Sequence, residues 1–174
     1  MDSPFGSPNS KAPPELACFA FLIGKWRCMA NVLWEHGQWQ ILPATWIARY
    51  VLDGYAIMDE YRMSNLTGDP IVLGANIRTF EAARQRWQIR WLNALSGEWT
   101  DLCSEELGGV RFEGNSVSYA FREPAAEHIF TRTTYTLLSR DHFTWRGGQS
   151  SDAATWNEFM LVDCHRIESA SPEL

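Results

Sequence analysis

The sequence predicts an all-β fold: a single antiparallel, up-and-down β-barrel of about ten strands with a short N-terminal helical plug. Three observations carry this. Aromatic residues make up 13% of the 174-residue chain, nine of them tryptophan, and rings of that size suit pleated, half-buried surfaces better than the narrow seams of helical bundles. From residue 26 onward the chain breaks into short β-type runs separated by turn chemistry, and no window sustains a helical period. Twisted strands joined in sequence by tight turns leave exposed edges unless the sheet closes on itself, which favours a barrel over the competing two-sheet sandwich.

Residues 1–15 carry four prolines, three serines and a glycine, few of which pack well, so a mobile tail is expected there. Residues 16–168 then form the barrel domain and 169–174 a C-terminal tail. The run 16–23 is too densely apolar for a solvent-facing helix and ends at Gly24, as a short helical turn filling a cavity would. It follows a proline-rich polar tail and leads into Gly24-Lys25-Trp26-Arg27 without a small-residue cleavage site, so it is read as retained structure and not as a secretory signal.

The β-type runs are 26–34, 39–52, 55–63, 71–80, 87–93, 99–107, 110–113, 116–121, 128–139, 142–145 and 156–162, the last continuing towards Ile167. Turn chemistry separates them, including Asp53-Gly54, Thr67-Gly68-Asp69-Pro70, Gly108-Gly109 and Gly147-Gly148. If Asp53-Gly54 is a type I′ turn, Tyr50 faces Ile57, Ala48 faces Asp59 and Trp46 faces Tyr61. Alternation then puts Trp46, Ala48, Tyr50, Leu52, Tyr55, Ile57, Asp59 and Tyr61 on the inner side, and Arg49, Glu60 and Arg62 on the outer. Pairing Phe80 with Trp87 adds Asn76, Arg78, Ile89 and Trp91 to the inner face.

One core is what 45% hydrophobic content in this length supports. A formal net charge of -6, from 21 acidic against 15 basic residues, offers no basic patch, so neither nucleic acid nor a membrane is an expected partner. Cys18, Cys28, Cys103 and Cys164 show no C-x-x-C spacing, and free, mostly buried thiols in a reducing cytoplasm are the expectation.

Residues Phe21-Leu22-Ile23-Gly24-Lys25-Trp26 resemble the opening of the lipocalin-like (calycin) proteins, a short plug followed by Gly-x-Trp on the first strand. The resemblance continues through Leu52-Asp53-Gly54, Asp59-Glu60-Tyr61, Arg78-Thr79-Phe80-Glu81, Trp87, Trp91 and the stretch 152–156, and is similar to an uncharacterised bacterial branch of that superfamily. It implies that Arg166, near the end of the final run, lies across Trp26 and closes the barrel end by cation–π contact and bonds to the plug's carbonyls. The same superfamily includes haem-binding nitrobindins, and that likeness would make His165 an axial ligand. The residues around it, Cys164-His165-Arg166, match an ordinary closing strand as well, and no cofactor is the favoured expectation.

No G-x-S-x-G, H-E-x-x-H, P-loop or dinucleotide-binding fingerprint is present. The candidate ligand-binding residues are therefore the polar exceptions on the inner face, Asp59, Asn76 and Arg78, with Tyr50, Tyr61, Trp87 and Trp91 covering an apolar body. The expected ligand is a small, largely apolar or aromatic molecule with one polar group. A cofactor-free isomerase, cyclase or hydrolase using Asp59 and Arg78 is the alternative, and a filled barrel whose role is self-association as a homodimer is a third. His36, His128 and His142 are read as solvent-exposed, Glu105, Glu106 and Asp152 as turn or strand-end charge, and no metal site is expected. Trp34 and Trp39, flanking His36-Gly37, would suit a barrel lip or a dimer contact.

Overall fold

The computed structural model describes residues 4–34, 37–126 and 128–167. His36 and residues 169–174 lie outside the described residues. Among those described, eleven strands form one antiparallel sheet: β1 (Gly24–Leu33), β2 (Trp39–Val51), β3 (Ala56–Ser64), β4 (Pro70–Glu81), β5 (Arg86–Asn93), β6 (Glu98–Asp101), β7 (Arg111–Glu113), β8 (Ser116–Arg122), β9 (Phe130–Ser139), β10 (His142–Ser150) and β11 (Asn157–Arg166). Their order is β6-β5-β4-β3-β2-β1-β11-β10-β9-β8-β7. The first strand thus pairs with the last, from Trp26 opposite Arg166 to Val32 opposite Met160, and the sheet curls into a barrel whose free edges are β6 and β7. The backbone between those edges stitches across the seam: Leu102 N donates to Ile89 O on β5 at 2.8 Å and Ser104 N to Ala120 O on β8 at 2.9 Å.

A 3-10 segment, Pro14–Leu22, plugs one end. Its Leu16, Phe19 and Leu22 are at most 1% exposed, and burying each stabilises by about 1.5–3 kcal/mol. Phe19 meets Trp87 edge-on at 4.8 Å and Trp26 meets Phe143 edge-on at 4.6 Å. The Trp26 indole N–H donates to Leu22 O at 2.8 Å, so plug and first strand share a bond as well as a core.

Both hairpins follow the alternation. Trp46 faces Tyr61, Ala48 faces Asp59 and Tyr50 faces Ile57, but the turn is a longer loop than the expected type I′ turn: Leu52, Asp53 and Gly54 all take positive φ, of 52°, 52° and 82°, and pairing resumes only from Val51 opposite Ala56. Phe80 faces Trp87. Leu52 and Tyr55, expected inside, are exposed, because the turn projects beyond the barrel rim. The run 99–107 stops as a strand at Asp101 and continues as a 3-10 turn, Glu105–Leu107. Gly147-Gly148 is a register-shifting bulge within β10 where the sequence suggested a turn. Residues 5–9 of the segment expected as a mobile tail lie along the β2–β3 end: Tyr50 N donates to Phe5 O at 2.8 Å and Asn9 N to Gly54 O at 3.2 Å.

Barrel closure explains the Gly-x-Trp motif. The Arg166 guanidinium sits over the Trp26 ring, 4.1 Å from its centroid. It donates to Ile23 O, to Phe21 O at 3.3 Å and to Arg140 O at 3.1 Å. Gly24 has φ of 134°, and a Cβ there would stand 2.3 Å from the Arg166 guanidinium. Glycine keeps that approach open.

Candidate functional site

The inner face carries a polar layer because Asp59, Asn76 and Arg78 occupy inward positions on neighbouring strands, with Asp59 opposite Asn76 and Ile57 opposite Arg78. Asp59 and Arg78 are fully buried. One carboxylate oxygen pairs with Arg78 NH1, and the other accepts from Asn76 Nδ2 at 2.9 Å. Arg78 NH2 donates to the Tyr135 hydroxyl at 2.8 Å, which lies 3.3 Å from the Tyr119 hydroxyl. The guanidinium also faces the Phe19 ring at 5.3 Å, so this network rests on the plug.

A cavity of about 200 Å³ lies beyond the network, on the side away from the plug, and aromatic side chains such as Trp46, Tyr61, Trp91, Phe121 and Trp145 dominate its lining. Its floor is polar. Trp46 Nε1, the Tyr61 hydroxyl and Asn76 Oδ1 all belong to lining residues, yet none finds a hydrogen-bond partner among the described residues. The three residues are 3%, 5% and 5% exposed. The orientation of Asn76 follows from its neighbour: a carboxylate only accepts, so Nδ2 must point to Asp59 and Oδ1 is left as an acceptor. Trp46 and Tyr61 are cross-strand neighbours with ring centroids 5.1 Å apart. Burial pushes the Tyr61 hydroxyl far above its ordinary pKa, which keeps it a neutral donor. Each buried polar atom left unmatched costs about 1–3 kcal/mol.

Of the seven residues proposed from sequence, Tyr61, Asn76 and Trp91 line the cavity. Asp59 and Arg78 lie beneath its floor and reach it through Asn76 and Tyr135. Trp87 packs against Phe19 and Phe80 on the plug side, and Tyr50 is half-buried beside the N-terminal segment. Trp91 can pack against Gly74 because that residue has no side chain; a Cβ there would come within 2.4 Å of the indole and 2.1 Å of Leu92 O. Sequence reasoning missed Tyr119, Tyr135 and Trp145 as lining residues. Alternation along β8 and β9 was the available signal, but nothing local shows that Tyr135 meets an arginine 57 positions away.

His165 is on the outer face, exposed, and does not line the cavity. His142, expected in solvent, is half-buried and bonded to Asp163 at 2.6 Å. Asp152 caps its own turn: Oδ1 accepts from Ala154 N and Thr155 N, each at 2.8 Å, and these bonds hold its carboxyl far below the usual range. Trp34 and Trp39 are exposed.

Fold and interior together define a lipocalin-like β-barrel. No family model and no curated protein matches the chain. Among solved structures it is similar to Rv2717c from M. tuberculosis, at 11% identity and a TM-score of 0.61, covering 91% of this chain and 100% of that one. It is also similar to the S-type phycobiliprotein lyase CPES from Guillardia theta, at 10% identity and a TM-score of 0.59, covering 88% and 93%. Among the described residues no helix is long and apolar enough to cross a membrane.

Proposed function

We propose that the barrel binds a small, flat, largely apolar or aromatic molecule whose polar edge offers both an acceptor and a donor. The observation that carries this is the set of unmatched polar atoms on the cavity's lining residues: the buried Trp46 N–H and Tyr61 O–H groups lack an acceptor, and Asn76 Oδ1 lacks a donor. A lactam or amide edge on an aromatic ring supplies both. An apolar cavity of about 150 Å³ suffices for benzene, so the volume here suits a fused bicyclic ring. An acid–base enzyme reading is less favoured, because both Asp59 oxygens are engaged and the carboxylate does not line the cavity.

Tryptophan fluorescence during titration with 2-quinolone and, separately, naphthalene tests the proposal. The lactam should bind more tightly, and Asn76→Leu should reduce that preference about tenfold, the equivalent of one buried hydrogen bond. Absence of binding by either probe, or an unchanged preference in Asn76→Leu, would overturn it.

A further inference from the structure

We propose that His142, Asp163 and His165 form a binding site for a borderline divalent metal ion of the zinc type, on the outer face of the barrel and independent of the cavity. The strand register builds it. His142 on β10 and His165 on β11 are Cα partners, and Asp163 is two residues from His165, so all three side chains leave the sheet on one side. The opposite side at this point holds Phe143, Val162 and Cys164, all buried.

Both imidazoles aim the same atom at one carboxylate. His142 Nε2 lies 2.6 Å from Asp163 Oδ1, and His165 Nε2 lies 3.1 Å from Oδ2. The rings stack with centroids 4.0 Å apart and planes 20° from parallel. The three ligand atoms fall within 4.8 Å of one another. Zinc bonds nitrogen and carboxylate oxygen at about 2.0–2.2 Å, which puts ligand atoms roughly 3.3–3.5 Å apart in a tetrahedral site. Small side-chain rotations therefore complete the geometry, with no movement of the strands.

The donor set chooses the metal. Two neutral imidazoles and one carboxylate suit zinc, nickel or copper, whereas magnesium and calcium require mostly oxygen ligands. Across β1, Met29 is the partner of Asp163 and Arg27 the partner of His165. Arg27 opposes a cation held by charge alone, so directional coordination must dominate. A bound ion would tie β10 to β11 directly beside the Arg166 closure.

Isothermal titration of metal-stripped full-length protein with zinc chloride, paired with thermal unfolding, tests the site. One zinc per chain is expected, with the melting temperature rising by roughly 5–10 °C at hundredfold excess over the dissociation constant; magnesium should produce neither effect. His165→Ala, whose side chain is exposed, should weaken zinc at least about tenfold without disturbing the fold, and Asp163→Asn should do the same. No saturable zinc uptake by the wild type, or equal uptake by a His142→Asn/His165→Ala double variant, would overturn the proposal.

Discussion

Removing Arg166 should open the closed end of the barrel, and the size of the loss follows from its contacts. The guanidinium lies 4.1 Å from the Trp26 ring centroid in a partly desolvated place, worth about 1–2 kcal/mol. Its bonds to Ile23, Phe21 and Arg140 carbonyls satisfy groups that the plug and a neighbouring turn leave free; losing them adds about 1–3 kcal/mol. The ion pair with Asp141, at 2.9 Å, contributes about 0–1 kcal/mol, since the aspartate side chain is 63% exposed. Arg166→Ala should therefore destabilise by roughly 2–6 kcal/mol, lowering the melting temperature by on the order of 10 °C. Arg166→Lys keeps the charge, loses the planar fork and should recover only part of this. Urea denaturation of the wild type, Arg166→Ala, Trp26→Leu and the double variant measures the contact as a coupling energy, expected at about 1–2 kcal/mol. Losses that add to within about 0.5 kcal/mol would show that the two side chains do not support each other.

Asp59→Asn should destabilise by about 3–5 kcal/mol, because it leaves the Arg78 guanidinium buried without a counter-charge. An Asp59→Leu/Arg78→Met variant should be closer to wild type than the single change, and a neutral Asp59→Asn in chemical denaturation would contradict the buried pair. Tyr61 and Tyr135 are raised well above the ordinary value of 10.0, mainly by burial. Raised folded values mean their contribution to stability is full below pH 10 and lost as pH climbs from there towards the folded values, since only the unfolded chain releases these protons readily. Absorbance titration should accordingly show at least two tyrosines ionising only with unfolding; smooth ionisation of all five near pH 10 in folded protein would refute the buried network.

Pattern and turn chemistry made much of the barrel legible. The period-2 alternation through 46–61 and the Asp53-Gly54 turn specify one hairpin register, and a single-residue slip would have turned Trp46 and Asp59 outward. The errors arise where the local signal is ambiguous. Gly147-Gly148 reads as a turn, but paired glycines also permit a bulge, and only the neighbouring strands β9 and β11 decide between them. The stretch after Asp101 is apolar enough for a strand, yet its backbone is recruited to bridge the seam. Inward-facing polar residues were likewise readable. Their depth was not, because alternation gives the face of a residue and says nothing of how far along the barrel axis the plug reaches.

That depth changes the roles within the site. Asp59 and Arg78 sit between plug and cavity, so in the proposed binding role a ligand would meet what they hold in place. Asp59 has one oxygen on Arg78 and the other on the Asn76 amide, which can present only its carbonyl to the cavity. Arg78 fixes Tyr135, and Tyr135 in turn neighbours Tyr119; both tyrosines line the wall. The ion pair, with Phe19 on one side, thus contacts Asn76 and Tyr135 on the other. In the proposed binding role this arrangement accounts for the buried charged pair better than stability does, since a hydrophobic pair of the same volume would fold at least as well. It also separates two effects that a site made of the charges themselves would merge: altering Asn76 should change which molecules bind, while altering Asp59 should first loosen the barrel.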